Sequence, residues 1–296
     1  MKIKIPIVFS TDHNYIIPTC VAIKSMLDVS KDVFCDIKIL HGENLGYDDK
    51  DIIKDIINNY EARVEFINMG GEAENGFEVR NISISTYYRL FIPTIFSTPP
   101  LYEKIIYCDG DIVFKDSVKK LYNQDIRGFC LGAAPISSNG IYNRKFANYC
   151  KRIDVDYYKY INAGILLINI NEILRLGIQE SLISLIGKKF KYQDQDIINI
   201  VCQNKIKFIS PQFNYSSNYP LFRNFDNVKP SIIHYIFTKP WKEFSFFWND
   251  WWSVYRSLPI YDYEKEIILS KRIIFPKIIS FNSLKRILKE KVVYKH

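Results

Sequence analysis

The stretch IIYCDGDIVF, residues 105–114, places two carboxylates one residue apart inside an apolar run. The apolar residues before the first aspartate predict a buried strand over residues 104–108. In extended chain Asp109 and Asp111 face the same side, and Gly110 between them lets a ligand approach the backbone closely. Two ionised carboxylates side by side are unfavourable unless a cation lies between them.

Strand-like and helix-like segments alternate through the first 200 residues. Strand-like segments predict strands over residues 3–9, 35–40, 64–68, 104–108, 130–134 and 163–169. Apolar residues at helical spacing predict helices over residues 16–27 and 47–59. This alternation predicts a single Rossmann-like α/β domain with a mixed, mostly parallel sheet, and such sheets bind ligands at the carboxyl ends of their strands. No G-x-G-x-x-G or G-x-x-x-x-G-K-[ST] motif occurs, so the sequence supports neither dinucleotide nor P-loop chemistry.

Composition and length narrow the class of protein. The chain has 296 residues and is 48% hydrophobic, which suffices for one sizeable core. Its six cysteines form no C-x-x-C pair, which favours a reduced, intracellular protein. No apolar stretch approaches the roughly 18 residues of a membrane span, and the apolar run near the N-terminus is too short for a signal peptide. We therefore expect a cytoplasmic protein.

The positive charge is concentrated at the C-terminus. Residues 268–296 hold eight Lys or Arg against the single acid Glu290, so +7 of the formal net charge of +8 lies there. The nearly neutral body gives no reason to expect a nucleic-acid partner. We predict one α/β domain over residues 1–260 and a basic amphipathic segment over residues 261–296. Such a segment either binds an anionic membrane surface or packs on the body as a solvated helix.

Three interpretations of the paired aspartates compete. In the first interpretation, they are turn and capping residues at a strand end, as aspartates commonly are. Alternatively, DGDIV matches the D-x-D-x-[TV] motif of haloacid dehalogenase-like phosphatases, with Asp109 as nucleophile and Asp111 as acid–base. That motif normally opens its domain, whereas about 100 residues of α/β sequence precede it here. In the third interpretation, D-x-D holds a divalent cation for a nucleotide sugar, and oxygen ligands of this kind suit Mn²⁺ or Mg²⁺.

Six further segments occur in a fixed order around the aspartates. In chain order the seven blocks are IVFSTDHNYIIPTCVAIKSML, ISISTYYRLFIP, IIYCDGDIVFKD, YINAGILLINI, YQDQDIINIV, FNY and HYIFTKPW. The series resembles family 8 of the retaining glycosyltransferases, which includes bacterial lipooligosaccharide and lipopolysaccharide galactosyl- and glucosyltransferases and glycogenin. The resemblance covers residues 3–241 and implies a GT-A type fold.

The resemblance also implies a donor site for a UDP-hexose. Its residues would be Ser10, Asp12, Asn14, Arg89, Asp109, Asp111, Asn162, Ala163, Gly164, Asp194, Gln195 and Lys239. Several have ordinary structural alternatives: Asp12 as the cap of a strand–helix turn, Arg89 in an internal salt bridge, and Asp194 and Asp196 as acids at a helix N-terminus.

The metal site implied by the resemblance consists of Asp109, Asp111 and His234, holding Mn²⁺ or Mg²⁺. Lys239 would neutralise the β-phosphate of the leaving group. The family usually has H-Y-x-G-x-x-K-P-W where this chain has HYIFTKPW, one residue shorter and with Phe237 near the glycine position. In the family this glycine allows a backbone contact to the phosphate. This chain departs from the family pattern at that contact.

The reaction implied is hexose transfer with retention at the anomeric carbon. The resemblance places Asp194 on the donor hydroxyls and Gln195 beside the anomeric carbon, and these two are the catalytic candidates. Because Gln195 is a poor nucleophile, we expect a front-side transfer in which the departing diphosphate accepts the acceptor's proton. Galactosyl members of the family often carry a carboxylate on the loop after the strand at residues 130–134. Residues 135–137 of this chain include no acid, so the sequence does not decide between a galactose and a glucose donor. The acceptor would be a saccharide, in one version lipid-linked at the inner face of the cytoplasmic membrane. A phosphatase and a non-catalytic UDP-sugar-binding protein remain as alternatives.

Overall fold

Strands and helices alternate in the first part of the chain, as the apolar pattern predicts. The computed structural model describes residues 2–70, 84–97, 102–136, 143–219 and 228–267. The alternating elements, in chain order, are β1 (Ile3–Thr11), α1 (Ile16–Val29), β2 (Val33–His41), α2 (Tyr47–Ile57) and β3 (Ala62–Asn68).

The remaining elements are shorter. The strands are β4 (Lys104–Cys108), β5 (Ile112–Phe114), β6 (Leu131–Ala133), β7 (Ile165–Asn169), β8 (Ile206–Phe208), β9 (Tyr215–Ser216) and β10 (Ile232–His234). The helices are α3 (Ile92–Ile95), α4 (Lys119–Tyr122), α5 (Arg144–Arg152), α6 (Ile170–Arg175), α7 (Ile178–Ser184), α8 (Gln193–Cys202) and α9 (Trp248–Tyr255). A 3₁₀ segment, Ile84–Phe91, precedes α3.

The main sheet has seven strands in the order β3-β2-β1-β4-β7-β6-β8. All neighbouring pairs are parallel except the two that involve β7, which is antiparallel to β4 and to β6. The prediction of a mixed, mostly parallel sheet is therefore confirmed. The carboxyl ends of β1 and β4 lie side by side, with Phe9 paired to Cys108, so the segments that follow both strands meet at one edge.

Apolar side chains cover both faces of this sheet. In β4, Ile106 and Cys108 join the apolar cluster beneath α1, α2 and α9, whereas Ile105 and Tyr107 join the cluster formed with the 3₁₀ segment and α8. This alternation follows from the two-residue period of a strand. A strand that is buried on both faces needs a continuous apolar run, which explains why residues 104–108 contain so few polar groups.

A small second sheet completes the site. Its strand order is β5-β10-β9, and β10 is antiparallel to β5, with His234 opposite Ile112. The backbone N–H of Tyr235 also donates to the Asp111 carbonyl at 3.0 Å. This pairing joins two segments that are about 120 residues apart in sequence, and it brings His234 beside the paired aspartates.

The predicted elements agree with the observed ones to within two residues at each end, and the strands β5, β8, β9 and β10 were not predicted. All six cysteines are buried and unpaired. None of the helices in the described ranges is long and apolar enough to cross a membrane. Most of the basic C-terminal segment, residues 268–296, lies outside the described residues.

Candidate metal centre

Asp109, Asp111 and His234 come together at the carboxyl end of β4. Each offers one ligand atom, and these atoms lie within 4.8 Å of one another. His234 Nε2 is 3.2 Å from Asp111 Oδ1 and 3.9 Å from Asp109 Oδ2. The set of two carboxylates and one imidazole suits a divalent ion such as Mn²⁺.

Two features of these side chains fit a cation. His234 Nδ1 lies 2.8 Å from Asn214 Oδ1, which leaves Nε2 directed towards the aspartates. Asp111 Oδ1 is buried and accepts no hydrogen bond from any described residue, although Nε2 is its close neighbour. A buried carboxylate oxygen without a donor is costly, and a metal ion supplies the missing partner.

The second oxygen of Asp111 is paired with Lys239. The Lys239 ammonium donates to Asp111 Oδ2 and to the Tyr235 carbonyl, the latter at 2.5 Å. Burial alone raises the pKa of Asp111, but Lys239 and the His234 ring outweigh it, and the net pKa lies below its ordinary value. Asp111 is therefore ionised, as a metal ligand has to be.

Arg89 joins Asp109 to Asp194 from below the site. Its Nη2 lies 2.8 Å from Asp109 Oδ1, and its Nε lies 3.0 Å from Asp194 Oδ2. It also donates through Nη1 to the Ala163 carbonyl at 2.6 Å, and its guanidinium stacks 4.5 Å from the centre of the Tyr107 ring. With its side chain only 4% exposed, Arg89 organises the aspartates from within the protein, as an internal salt bridge does.

Asp194 differs from the other carboxylates. Burial raises its pKa to about 6 even though Arg89 opposes the shift. It lies in the first turn of α8, next to Gln193, whose φ of +47° is in the left-handed region. Strained backbone of this kind often occurs at functional sites. The structure thus places Asp194 beside the candidate metal centre, linked to it through Arg89.

The turn Asn162-Ala163-Gly164 packs closely against the metal ligands. The carbonyl of Gly164 accepts from Asp109 N–H at 2.7 Å. A Cβ atom at Gly164 would lie 2.2 Å from His234 Cε1 and 2.7 Å from Asp109 Oδ2. Only glycine fits between these two ligands. The small residues predicted for ligand approach are therefore also required for the packing of the ligands themselves.

Gln195 is held by that turn and by a tyrosine. Its Oε1 accepts from Ala163 N–H at 3.1 Å and from Asn162 Nδ2 at 3.2 Å, and its Nε2 donates to Tyr160 Oη at 3.2 Å. Asp196 is fully buried and accepts from Tyr160 Oη at 2.5 Å. Asp196 therefore does more than complement the dipole of α8, which was the structural alternative considered for it.

The segment after β1 begins at the strand end that lies beside the carboxyl end of β4. Asp12 caps a short 3₁₀ turn, with its carboxylate accepting from Tyr15 N–H at 3.0 Å, as the capping alternative predicts. Asn14 is exposed, and the Ser10 hydroxyl is buried with no hydrogen-bond partner among the described residues. Burial and then the carboxylates of Asp111 and Asp109 raise the pKa of Tyr15.

Aromatic contacts join this segment to the one that carries Lys239. Tyr15 packs edge-on against Trp241, with ring centres 5.8 Å apart, and Trp241 packs on the buried Trp251 of α9. Phe237, at the position of the missing glycine, has 54% of its surface exposed. Sequence reasoning overlooked Asn214 and Tyr160 as site residues, although the FNY and YINAG blocks contain them.

A sequence profile, related proteins and a solved structure all indicate the family that the sequence motifs resemble. The sequence profile of glycosyl transferase family 8 matches residues 6–245. A Haemophilus influenzae protein named as a glycosyltransferase is 33% identical over 222 residues, which is 71% of this chain and 63% of that protein. A lipopolysaccharide 1,2-glucosyltransferase of Escherichia coli is 25% identical over 251 residues, 79% of this chain and 72% of its own length.

A solved structure supports the match. The galactosyltransferase LgtC, crystallised with donor and acceptor sugar analogues, superposes with a TM-score of 0.73 at 25% sequence identity. The superposition covers 88% of this chain and 99% of LgtC. The fold is thus of the GT-A type, as the resemblance implies. The profile spans most of the chain and includes the Asp109–Asp111 pair and His234, so this protein belongs to glycosyl transferase family 8.

Proposed function

We propose that this protein transfers a hexose, galactose or glucose, from a UDP-sugar to a saccharide hydroxyl with retention at the anomeric carbon. The observation that carries the proposal is the cluster of Asp109, Asp111 and His234, with a buried Asp111 oxygen that lacks a donor among the described residues. The family, the similarity to LgtC and the position at the carboxyl ends of the strands support it.

In this proposal Asp109, Asp111 and His234 hold Mn²⁺ or Mg²⁺. The bound ion would supply charge neutralisation at the diphosphate of the donor. Lys239 lies beside Asp111 and would add a second positive charge for the leaving UDP. Arg89 keeps Asp109 in place rather than contacting the donor itself, since its donors already meet Asp109, Asp194 and the Ala163 carbonyl.

The remaining residues would bind the nucleoside and the sugar. Ser10, Asp12 and Asn14 stand at the end of β1, where the proposal places the uridine. The turn formed by residues 162–164 and the carboxylate of Asp194 would contact the hexose hydroxyls. Both groups belong to segments near the metal centre, because the carboxyl ends of β1 and β4 lie side by side and Asp194 of α8 is linked to Asp109 through Arg89.

The contacts of Gln195 favour front-side transfer over a covalent intermediate. Its Oε1, the atom that would attack the anomeric carbon, already accepts hydrogen bonds from Ala163 N–H and Asn162 Nδ2. Both bonds reduce the nucleophilicity of an uncharged amide oxygen. Gln195 would therefore lie beside the anomeric carbon without attacking it, and the departing diphosphate would take the acceptor's proton.

The test is a donor panel with two readouts. Wild-type protein is incubated with Mn²⁺ and either an oligosaccharide acceptor with UDP-galactose or UDP-glucose, or a phosphomonoester, and both UDP and inorganic phosphate are measured. We expect UDP release with at least one donor, no phosphate release from phosphomonoesters, and loss of activity in Asp109→Ala. No UDP release from any UDP-hexose, or equal turnover by Asp109→Ala, would refute the proposal. Binding of UDP without turnover would identify a non-catalytic UDP-sugar-binding protein.

We propose further that the acceptor is lipid-linked and that residues 268–296 bind the inner face of the cytoplasmic membrane. Two observations favour this proposal: the +7 charge of the segment, and the presence of lipopolysaccharide transferases among the relatives. A chain ending at residue 267 should sediment less with vesicles containing anionic lipid while it retains donor hydrolysis. Equal sedimentation of both chains would exclude this role.

A further inference from the structure

A continuous chain of side-chain hydrogen bonds runs from the candidate metal ligand to a buried carboxylate beyond the sugar-site residues. Every link is between atoms 2.5 to 3.2 Å apart. The members, in order, are His234, Asn214, Asn162, Gln195, Tyr160 and Asp196. The ends of the chain are a metal-ligand candidate and a carboxylate with 0% exposure.

Backbone groups determine the direction of these hydrogen bonds. The N–H of Gly164 donates to one side-chain atom of Asn162 at 3.0 Å, and that atom must be the oxygen because a backbone N–H can only donate. The N–H of Ala163 likewise requires the oxygen of Gln195 at 3.1 Å. Two amides whose orientation is otherwise ambiguous are thereby oriented by the main chain.

The orientation of Asn162 then determines that of Asn214 and of His234. Asn214 must donate through Nδ2 to Asn162 Oδ1 at 2.9 Å, so its own oxygen faces His234 Nδ1 at 2.8 Å. An amide oxygen can only accept, so this contact favours a neutral His234 ring with its proton on Nδ1 and leaves the lone pair of Nε2 for an ion, whereas the Asp111 carboxylate beside Nε2 favours a proton there until an ion binds. A free neutral imidazole side chain favours the opposite tautomer, with the proton on Nε2. The protein therefore works against that preference.

The other end of the chain is anchored by charge. Tyr160 accepts from Gln195 Nε2 and donates to Asp196 Oδ1, and burial followed by Asp196 raises the pKa of Tyr160, so the hydroxyl keeps its proton. Asp196 also accepts from Tyr192 N–H at 2.7 Å and from the Tyr149 hydroxyl. An ionised carboxylate can only accept hydrogen bonds. Each member of the chain therefore donates in the direction of Asp196.

We propose that Asn214 is a positioning residue that selects the Nδ1–H tautomer of His234 and so makes Nε2 the ligand atom. Through Asn162, the same residue links the metal centre to Gln195. The inference rests on the proposed function only in taking His234 as a metal ligand. It does not require sugar transfer, and it assigns a role to a residue that contacts neither the ion nor the sugar in the proposed site.

The first measurement is the tautomer of His234 in protein saturated with Mg²⁺, a diamagnetic ion that competes with the proton at Nε2. The chain has four histidines, so ¹⁵N-histidine spectra are simple, and the His234 signals are identified by their loss in His234→Gln. At mildly alkaline pH we expect a pyrrole-like Nδ1 and a pyridine-like Nε2 in the wild type. A protonated Nε2 in the neutral wild-type ring would overturn the proposal without any variant of Asn214.

Two variants at Asn214 separate tautomer selection from packing. Asn214→Asp keeps an oxygen acceptor opposite Nδ1, whereas Asn214→Leu keeps the branched shape of the side chain but offers no acceptor. We expect Asn214→Leu to shift the proton to Nε2 and to lower Mn²⁺ affinity about 10- to 100-fold, measured by the electron paramagnetic resonance of free Mn²⁺. Asn214→Asp should keep the wild-type tautomer and bind Mn²⁺ at least as tightly as wild type.

The outcomes distinguish this inference from the proposed function. Wild-type tautomer and affinity in folded Asn214→Leu, or an equal loss of affinity in Asn214→Asp, would refute the role of Asn214. A wild-type protein that shows the expected tautomer and binds Mn²⁺ but releases no UDP would refute the transferase proposal and leave the inference standing.

Discussion

Replacing Gly164 by alanine is expected to disable the metal centre while the protein stays folded. The new Cβ would lie 2.2 Å from His234 Cε1, whereas ordinary contacts of this kind begin at 3.4 Å. The imidazole must therefore move by about 1.2 Å, and the Asp109 carboxylate, 2.7 Å from the same Cβ, must move as well. Metal–ligand distances tolerate about 0.2 Å, so the displacement exceeds that tolerance several-fold.

The expected result is a loss of Mn²⁺ affinity of at least about 100-fold, because two of three protein ligands are displaced. Overpacking of this size costs about 1–3 kcal/mol of the free energy of unfolding, which a domain of this size survives. Affinity is measured by isothermal titration of Mn²⁺, and folding is checked by thermal unfolding.

Gly46→Ala is the matched control. The nearest atom to a Cβ at Gly46 is 3.9 Å away, and its φ of −74° accepts any residue, so this variant should bind Mn²⁺ like the wild type. Folded Gly164→Ala with wild-type Mn²⁺ affinity would show that the ion is not held between Asp109 and His234.

Three further predictions concern other parts of the same fold. Asp36→Asn should lower the free energy of unfolding in urea by about 3 kcal/mol, because Asp36 is fully buried and paired with several cations. The pKa of Asp36 in the folded protein is below the ordinary value of 3.8, so its stabilising effect is fully present above pH 3.8. The difference in stability between wild type and variant should therefore shrink as the pH falls from 3.8 towards the folded-state pKa. A difference that stays constant over this range would contradict the prediction. Gly110→Ala should be destabilising, since its Cβ would lie 2.4 Å from Thr19 Oγ1, and Thr19→Ala should recover part of the loss in a double-mutant cycle; strict additivity would count against the contact. Tyr160→Phe should lower kcat on the order of 10- to 100-fold with little change in the donor KM, because Gln195 loses its Nε2 partner; an unchanged kcat would argue against positioning through Tyr160.

The main sheet was predictable because its strands carry their own signal. Strands β1 and β4 are buried on both faces, so each appears in the sequence as an apolar run that ends at polar residues, and β2 alternates apolar residues with the buried pair Asp36 and Lys38. The second sheet has no such signal. Its strands are two or three residues long, and β5 and β10 pair across a separation of about 120 residues, which no local pattern encodes.

The site was predictable where chemistry is concentrated in one residue type. Asp109, Asp111 and His234 stand out because carboxylates and imidazole after buried strands are rarely placed there without a partner. Asn214 carries no comparable signal, since a single Asn occurs in many turns. Its role depends on where the Gly164 N–H points, which is a property of the folded backbone. Likewise, the partners of Arg89 come from three distant segments of the chain.

The most direct test of the central claim is a crystal of the protein grown with Mn²⁺ and UDP, with anomalous diffraction recorded at the manganese edge. The claim is that Asp109, Asp111 and His234 hold an ion that in turn holds the leaving group. We expect one anomalous peak enclosed by these three side chains, in contact with the diphosphate, and with Lys239 directed at the phosphate oxygens. UDP bound without an ion at this cluster, or manganese bound at a different site, would contradict the account.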